Sequence, residues 1–119
     1  MNKKQYITRI MTATKNVGTY KKSFDQLINT LADILAERDR VRKQYIDEGA
    51  EPLVTYTSDR GNTNRQPNPL LKQWMDLNSQ ALTYWRDLGL TPAGLKKITD
   101  ENMKEQKGNT LENILSKLE

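Results

Sequence analysis

Apolar residues recur along most of the chain at steps of three and four, and the polar stretches between them divide the sequence into a series of helical segments. From Lys3 to Thr14 the positions Tyr6, Ile7, Ile10 and Met11 form one apolar face, and Gly18 is placed to end that helix. A much longer stripe follows: Tyr20, Phe24, Leu27, Leu31, Leu35, Arg38, Val41 and Tyr45, widened by Ile28 and Ile34. Thr19 or Ser23 can cap this helix, and Ser23-x-x-Gln26 has the form of a capping box; Glu48-Gly49 marks the break after Asp47. At 1.5 Å per residue such a helix is about 40 Å long, more than a small globule needs for its own core.

The spacing changes at Leu53-Val54-Thr55-Tyr56-Thr57, a β-favouring run followed by the turn formers Ser58 to Asn64. This predicts an excursion between two helices, a brief hairpin or an extended arm and not a sheet. A strand here has no evident internal partner, so pairing with another copy is the alternative. Asn68-Pro69 then opens a helix, because Asn can accept from the first free N–H groups and Pro at the first helical position has no N–H to leave unpaired. Its stripe is Leu70, Leu71, Trp74, Leu77, Ala81, Leu82, Trp85 and Leu88, closed by Gly89. Thr91-Pro92 repeats the start signal for a short helix to about Ile98. The polar stretch 99–108 reads as mobile. Asn109-x-x-Glu112 precedes a last amphipathic segment carrying Leu111, Ile114, Leu115 and Leu118, either a frayed terminus or a docking element for a partner.

The resulting fold class is mainly α: a long antiparallel helical hairpin with a short N-terminal helix, a short β-like linker excursion and a small C-terminal helix. Residues 1–98 make one domain, with a basic helix at 1–18, long helices at 19–48 and 68–89 around a linker at 49–67, and a short helix at 91–98. Residues 99–119 form a tail. At 119 residues, 35% hydrophobic and 29% charged, the chain is short of apolar material for a compact monomer, which makes oligomerisation a natural use of its surplus helix length.

Charge is unevenly spread. Lys3, Lys4, Arg9, Lys15, Lys21 and Lys22 all precede the first acid, Asp25, whereas the remainder carries 13 basic and 15 acidic residues. An acid-free basic segment either meets phosphates or is a solvated helix face. Farther on, Arg38, Arg40, Arg42 and Lys43 mix with Glu37 and Asp39, a pattern that suits pairing between subunits or backing of a helix C-terminus.

The chain contains neither cysteine nor histidine, which leaves carboxylates, Lys and Tyr for any chemistry and points away from an enzyme, a metal site or a cofactor. The glycines are isolated, so no dinucleotide fingerprint or phosphate loop is present. No apolar run reaches membrane-spanning length, and a cytoplasmic location is expected. Trp74 and Trp85 lie on the helical stripe, where packing is a stronger reading than base stacking. The first helix, Gly18 and the start of the second could make a helix-turn-helix, although the connection is not diagnostic.

The stretch from Asn68-Pro69-Leu70-Leu71 through Tyr84-Trp85-Arg86-Asp87-Leu88-Gly89-Leu90-Thr91-Pro92-Ala93 resembles one family of tailed-phage terminase small subunits, whose members show an Asn-Pro helix start, a long helix and a Leu-Gly-Leu-Thr-Pro junction. The order of elements extends the resemblance over roughly residues 5–98. It implies a protein that recognises the packaging-initiation region of double-stranded viral DNA in the host cytoplasm, assembles as a homo-oligomeric ring and delivers DNA to the large terminase subunit, which holds the ATPase and nuclease activities. Family members often continue from Thr-Pro with Ser-Ser-Arg; here Ala93-Gly94-Leu95-Lys96-Lys97 follows, so Lys96 and Lys97 are the basic residues at that junction. On this view Lys3, Lys4, Arg9, Lys15, Lys21 and Lys22 contact DNA. Phe24, Leu27, Leu31, Leu35, Trp74, Leu77 and Trp85 build the contacts between subunits, and Leu111, Ile114, Leu115 and Leu118 dock on the large subunit. The competing reading is a helical oligomeric adaptor or repressor-like regulator with no packaging role, which predicts a dimer or tetramer.

Overall fold

The computed structural model describes the backbone of residues 1–118, with side chains described through Lys104 and at Leu115. Four α-helices and one β-hairpin follow in the order α1 (Lys3–Val17), α2 (Asp25–Asp47), β1 (Leu53–Thr57), β2 (Thr63–Pro67), α3 (Pro69–Asp87) and α4 (Pro92–Leu118), with a single 3-10 turn, Lys22–Phe24, ahead of α2. The protein is mainly helical, as the sequence pattern predicts.

Local chemistry sets most of the boundaries. Asn2 caps α1: its side chain accepts from the Gln5 N–H at 2.9 Å while Gln5 Oε1 accepts from the Asn2 N–H at 3.0 Å. Gly18, left-handed at φ 77°, ends α1 where expected. The capping box expected at Ser23 does not form. Ser23 sits inside the 3-10 turn, where Phe24 N–H bonds Lys21 O at 2.9 Å, so it lacks the extended backbone a cap requires, and no side-chain cap precedes α2. Asp25, in the first turn of α2, is suitably placed against the positive end of the helix dipole instead.

α2 and α3 run antiparallel: Arg38 donates to Asn78 Oδ1 at 3.4 Å, and four residues later in α2 the Arg42 guanidinium lies 5.0 Å from the ring centre of Trp74, four residues earlier in α3. α1 folds back along α2, so that Tyr6 reaches Asp39 while Tyr20, beyond the turn, reaches Asp25. The core lies where these three helices meet and comprises Tyr6, Ile10, Ile28, Leu31, Ala32, Leu35, Ala81 and Leu88, with Leu27, Ile34, Trp85 and Leu90 among those closing it from outside. Val41 and Tyr45 are buried farther along α2, outside that core cluster.

The excursion is a two-stranded antiparallel hairpin, with Leu53 opposite Pro67, Thr55 opposite Arg65 and Thr57 opposite Thr63. A strand at Leu53–Thr57 therefore has an internal partner. The polar segment Thr63–Pro67 supplies it, which corrects the expectation that none was available in the chain. Asn68 closes the base of the hairpin as well as starting α3: its Nδ2 donates to Glu51 O and its N–H to Pro52 O, both at 2.9 Å, while its Oδ1 accepts from Leu70 N–H at 3.0 Å.

α4 differs most from expectation. The helix expected to stop near Ile98 continues to Leu118, so Asn109 and Glu112 lie within a helix instead of opening one. The segment Glu101 to Lys107 is made largely of good helix formers and carries the helix on without an apolar stripe. The hairpin continues from one end of the α2/α3 pair and α4 from the other. The radius of gyration is 22.1 Å, against about 13–14 Å for a compact chain of this length. Much of the molecule thus lies outside its own core.

Candidate nucleic-acid interface

α1 carries no acidic residue, and the face it turns away from the core is polar and basic. Lys4, Gln5, Thr8, Arg9, Thr12, Lys15 and Asn16 are all exposed, and Gln5, Thr8, Arg9, Thr12, Ala13 and Asn16 line a shallow groove along the helix. Lys4 and Lys15, eleven residues apart, fall nearly on one line of the helix surface, about 16 Å from each other. Lys21 and Lys22 are exposed just beyond the Gly18 turn. Arg9 lies on the other flank of the exposed face. The six basic residues singled out from the sequence are therefore on the surface in two groups, one at the start of α1 and one around the α1–α2 turn, with Arg9 between them.

They are not electrostatically equal. Lys3 forms an ion pair with Asp33 at 3.1 Å and the Lys15 ammonium lies 5.1 Å from the centre of the Tyr20 ring, whereas Lys4, Arg9, Lys21 and Lys22 have no carboxylate within 4 Å among the described residues. The basic cluster later in α2 is paired within the chain: Arg38 with Asp39 at 3.0 Å, Arg40 with Glu37, and Lys43 with Asp47 at 3.5 Å, while Arg42 stacks on Trp74 and Tyr45. The Arg40 hydrogen bond holds the Glu37 carboxyl below its usual range.

Below the α1 surface a polar network ties three helices together. The Tyr6 hydroxyl donates to the Asp39 carboxylate, Arg38 bonds both Tyr6 and Asp39, and Arg38 continues to Asn78. Burial, then the hydrogen bond and negative charge of Asp39, push the Tyr6 hydroxyl above its ordinary value. Beside this network Tyr6, Arg9, Ile10, Ala13, Leu35, Arg38 and Trp85 line a partly open groove of about 320 Å³. Periodicity alone treats Tyr6 as one more apolar stripe residue; its partner, 33 residues away, has no local signal in the sequence.

The residues expected between subunits divide. Leu31 and Leu35 are 0% and 1% exposed and belong to the core of the single chain. Phe24, Leu27, Trp74, Leu77 and Trp85 are half-buried and retain outward surface. The periodicity also passes over Met75, which is exposed together with Leu82 on the outer side of α3. Leu115 is exposed, whereas Leu111, Ile114 and Leu118 lie outside the described side chains.

The Leu-Gly-Leu-Thr-Pro junction has a physical explanation. Gly89 takes φ 73°, and a Cβ there would stand 2.8 Å from Thr19 Cγ2 and 2.9 Å from Ile98 Cδ1. Thr19, expected as a helix cap, is buried and instead donates to Leu88 O at 2.8 Å, joining the α1–α2 turn to the end of α3. Thr91 accepts from Gly94 N–H at 3.1 Å and starts α4. Gly94 is required by proximity: a Cβ would fall 2.1 Å from Arg86 O. Lys96 and Lys97 are exposed on the following turn.

Among the described residues there is no cluster of three or more carboxylates that could hold a metal ion, and no helix is long and apolar enough to cross a membrane. A helical hairpin with an acid-free basic helix across it and a capped junction into a further helix defines a helical scaffold with one basic outer surface. A family model described as phage terminase, small subunit, matches residues 3–105. The chain belongs to that family, which places it in phage DNA packaging inside the infected host cell. No curated protein and no solved structure matches it.

Proposed function

We propose that this small terminase subunit binds double-stranded viral DNA at the packaging-initiation region and delivers it to the large terminase subunit in the host cytoplasm, itself contributing no catalytic step. The observation that carries this reading is the acid-free segment formed by α1 and the turn after it: Lys4, Arg9, Lys21 and Lys22 stand exposed and unpaired among the described residues, on a chain whose family acts in DNA packaging. Lys and Arg of this kind bind duplex DNA mainly by displacing its condensed counterions. Lys3 and Lys15 contribute less, because Asp33 and Tyr20 already engage them. Homo-oligomers, in ring form, would use the half-buried Phe24, Leu27, Trp74, Leu77 and Trp85 at subunit contacts. The far end of α4, with Leu111, Ile114, Leu115 and Leu118, would engage the large subunit.

The test is duplex binding over a salt series by the intact protein and by a variant carrying Lys4→Glu, Arg9→Glu, Lys21→Glu and Lys22→Glu. The variant should bind far more weakly, and the slope of log affinity against log salt should flatten by about one unit for each phosphate that is no longer neutralised. Unchanged binding and slope would remove DNA from this surface. Native mass spectrometry of both proteins separates weakened DNA binding from failed assembly.

A further inference from the structure

We infer that the β1–β2 hairpin is a second contact for duplex DNA, made to its phosphates by Arg60 and Arg65. This deepens the DNA-binding reading proposed above and rests on it. The hairpin has little packing role in its own chain: Val54 is half-buried, but every residue of β2 and the other four of β1 are exposed. A two-stranded hairpin is marginal by itself, and its apolar residues are not packed on the core: Leu53 and Tyr56 are exposed and Val54 is only half-buried. The alternation of side chains puts Thr55, Thr57, Thr63 and Arg65 on one face with Leu53 and Pro67, and Val54, Tyr56, Asn64 and Gln66 on the other. Val54 of the second face is half-buried, whereas every residue of the first is exposed. That first face offers three hydroxyls and a guanidinium, and Arg60 stands in the connecting turn. From Leu53 to Pro67 the sole acid is Asp59, and neither arginine has a carboxylate within 4 Å among the described residues.

Guanidinium with hydroxyls is the chemistry that binds phosphate oxygens, whereas a protein partner would call for an apolar centre that this face does not have. A two-stranded ribbon also has the width the DNA major groove admits. The 23-residue α2 puts the Lys21/Lys22 turn and the hairpin at its opposite ends, more than about 34 Å apart, so one duplex running beside α2 would meet basic residues beyond both ends of the helix.

The experiment measures anisotropy of a fluorescent duplex from the phage packaging-initiation region, across a salt series, with the intact protein, R60A/R65A and R60K/R65K. R60A/R65A should lower the salt slope by about two units, and R60K/R65K should retain it, because the charge remains. Far-UV circular dichroism and native mass of both variants should match the parent, since the hairpin lies outside the core. If the intact protein binds duplex and R60A/R65A keeps the parent slope, this inference is overturned while the function proposed above stands. An intact protein that binds no duplex overturns both. A changed subunit count in R60A/R65A also overturns the inference, because the hairpin would then serve contacts between copies.

Discussion

Leu35→Ala tests whether the long-helix stripe is a core or an interface. Leu35 is 1% exposed and borders Tyr6 and Ile10 of α1 and Trp85 of α3, so its isobutyl group fills the space where three helices meet. Truncating a buried leucine costs about 2–5 kcal/mol, from the transfer energy of the removed atoms and the cavity left behind. The open groove beside Leu35 lets Trp85 and Arg38 relax inward, which favours the lower half of that range, about 3 kcal/mol. In a domain of this size such a destabilisation is a large share of total stability and lowers Tm by about 10 °C. The assay is urea and thermal unfolding at two protein concentrations, with Leu82→Ala, on the exposed side of α3, as the comparison. The Leu35 variant should be destabilised by a similar amount at both concentrations without a change in native mass. A destabilisation below about 1 kcal/mol, or dissociation with intact subunit stability, would refute the assignment of Leu35 to the core.

Two other predictions concern the joints of the fold. Gly94→Ala should destabilise the protein by about 1–3 kcal/mol, although alanine is ordinarily the better helix residue, because its Cβ would fall 2.1 Å from Arg86 O; a melting temperature at or above the parent's would contradict that close approach. The Tyr6 hydroxyl has its pKa raised in the folded state, so its contribution to stability is complete below the unfolded value near 10 and disappears as pH rises through the higher folded value. Stability of the parent should accordingly fall more steeply above pH 10 than that of Tyr6→Phe, as read from urea midpoints across the alkaline range, and parallel curves would count against the Tyr6–Asp39 hydrogen bond.

What the sequence made legible was local. Gly18, Glu48-Gly49, Asn68-Pro69, Gly89 and Thr91-Pro92 mark helix ends because caps and breaks are set by residues within one turn of each other. Thr63–Pro67 was not legible as a strand, since a hairpin exposed on both faces has no apolar alternation to reveal it. The extension of α4 beyond Ile98 was hidden for a related reason: periodicity reports a buried face, and this part of the helix is specified by propensity. Of the candidate site, the acid-free basic segment was visible as composition. Which of its charges are already engaged was not, because Lys3–Asp33 and Lys15–Tyr20 depend on how α1 folds back over α2. The same tertiary dependence hid Thr19, whose role is a hydrogen bond to a carbonyl 69 residues away.

The proposed joining of viral DNA to the packaging motor is tested by retention of the phage's large terminase subunit on immobilised packaging-region duplex, with and without the protein. The large subunit should be retained strongly only when the protein is present, and the Lys4→Glu, Arg9→Glu, Lys21→Glu, Lys22→Glu variant should fail to support retention. Equal retention of the large subunit without the protein would show that this chain does not make the link.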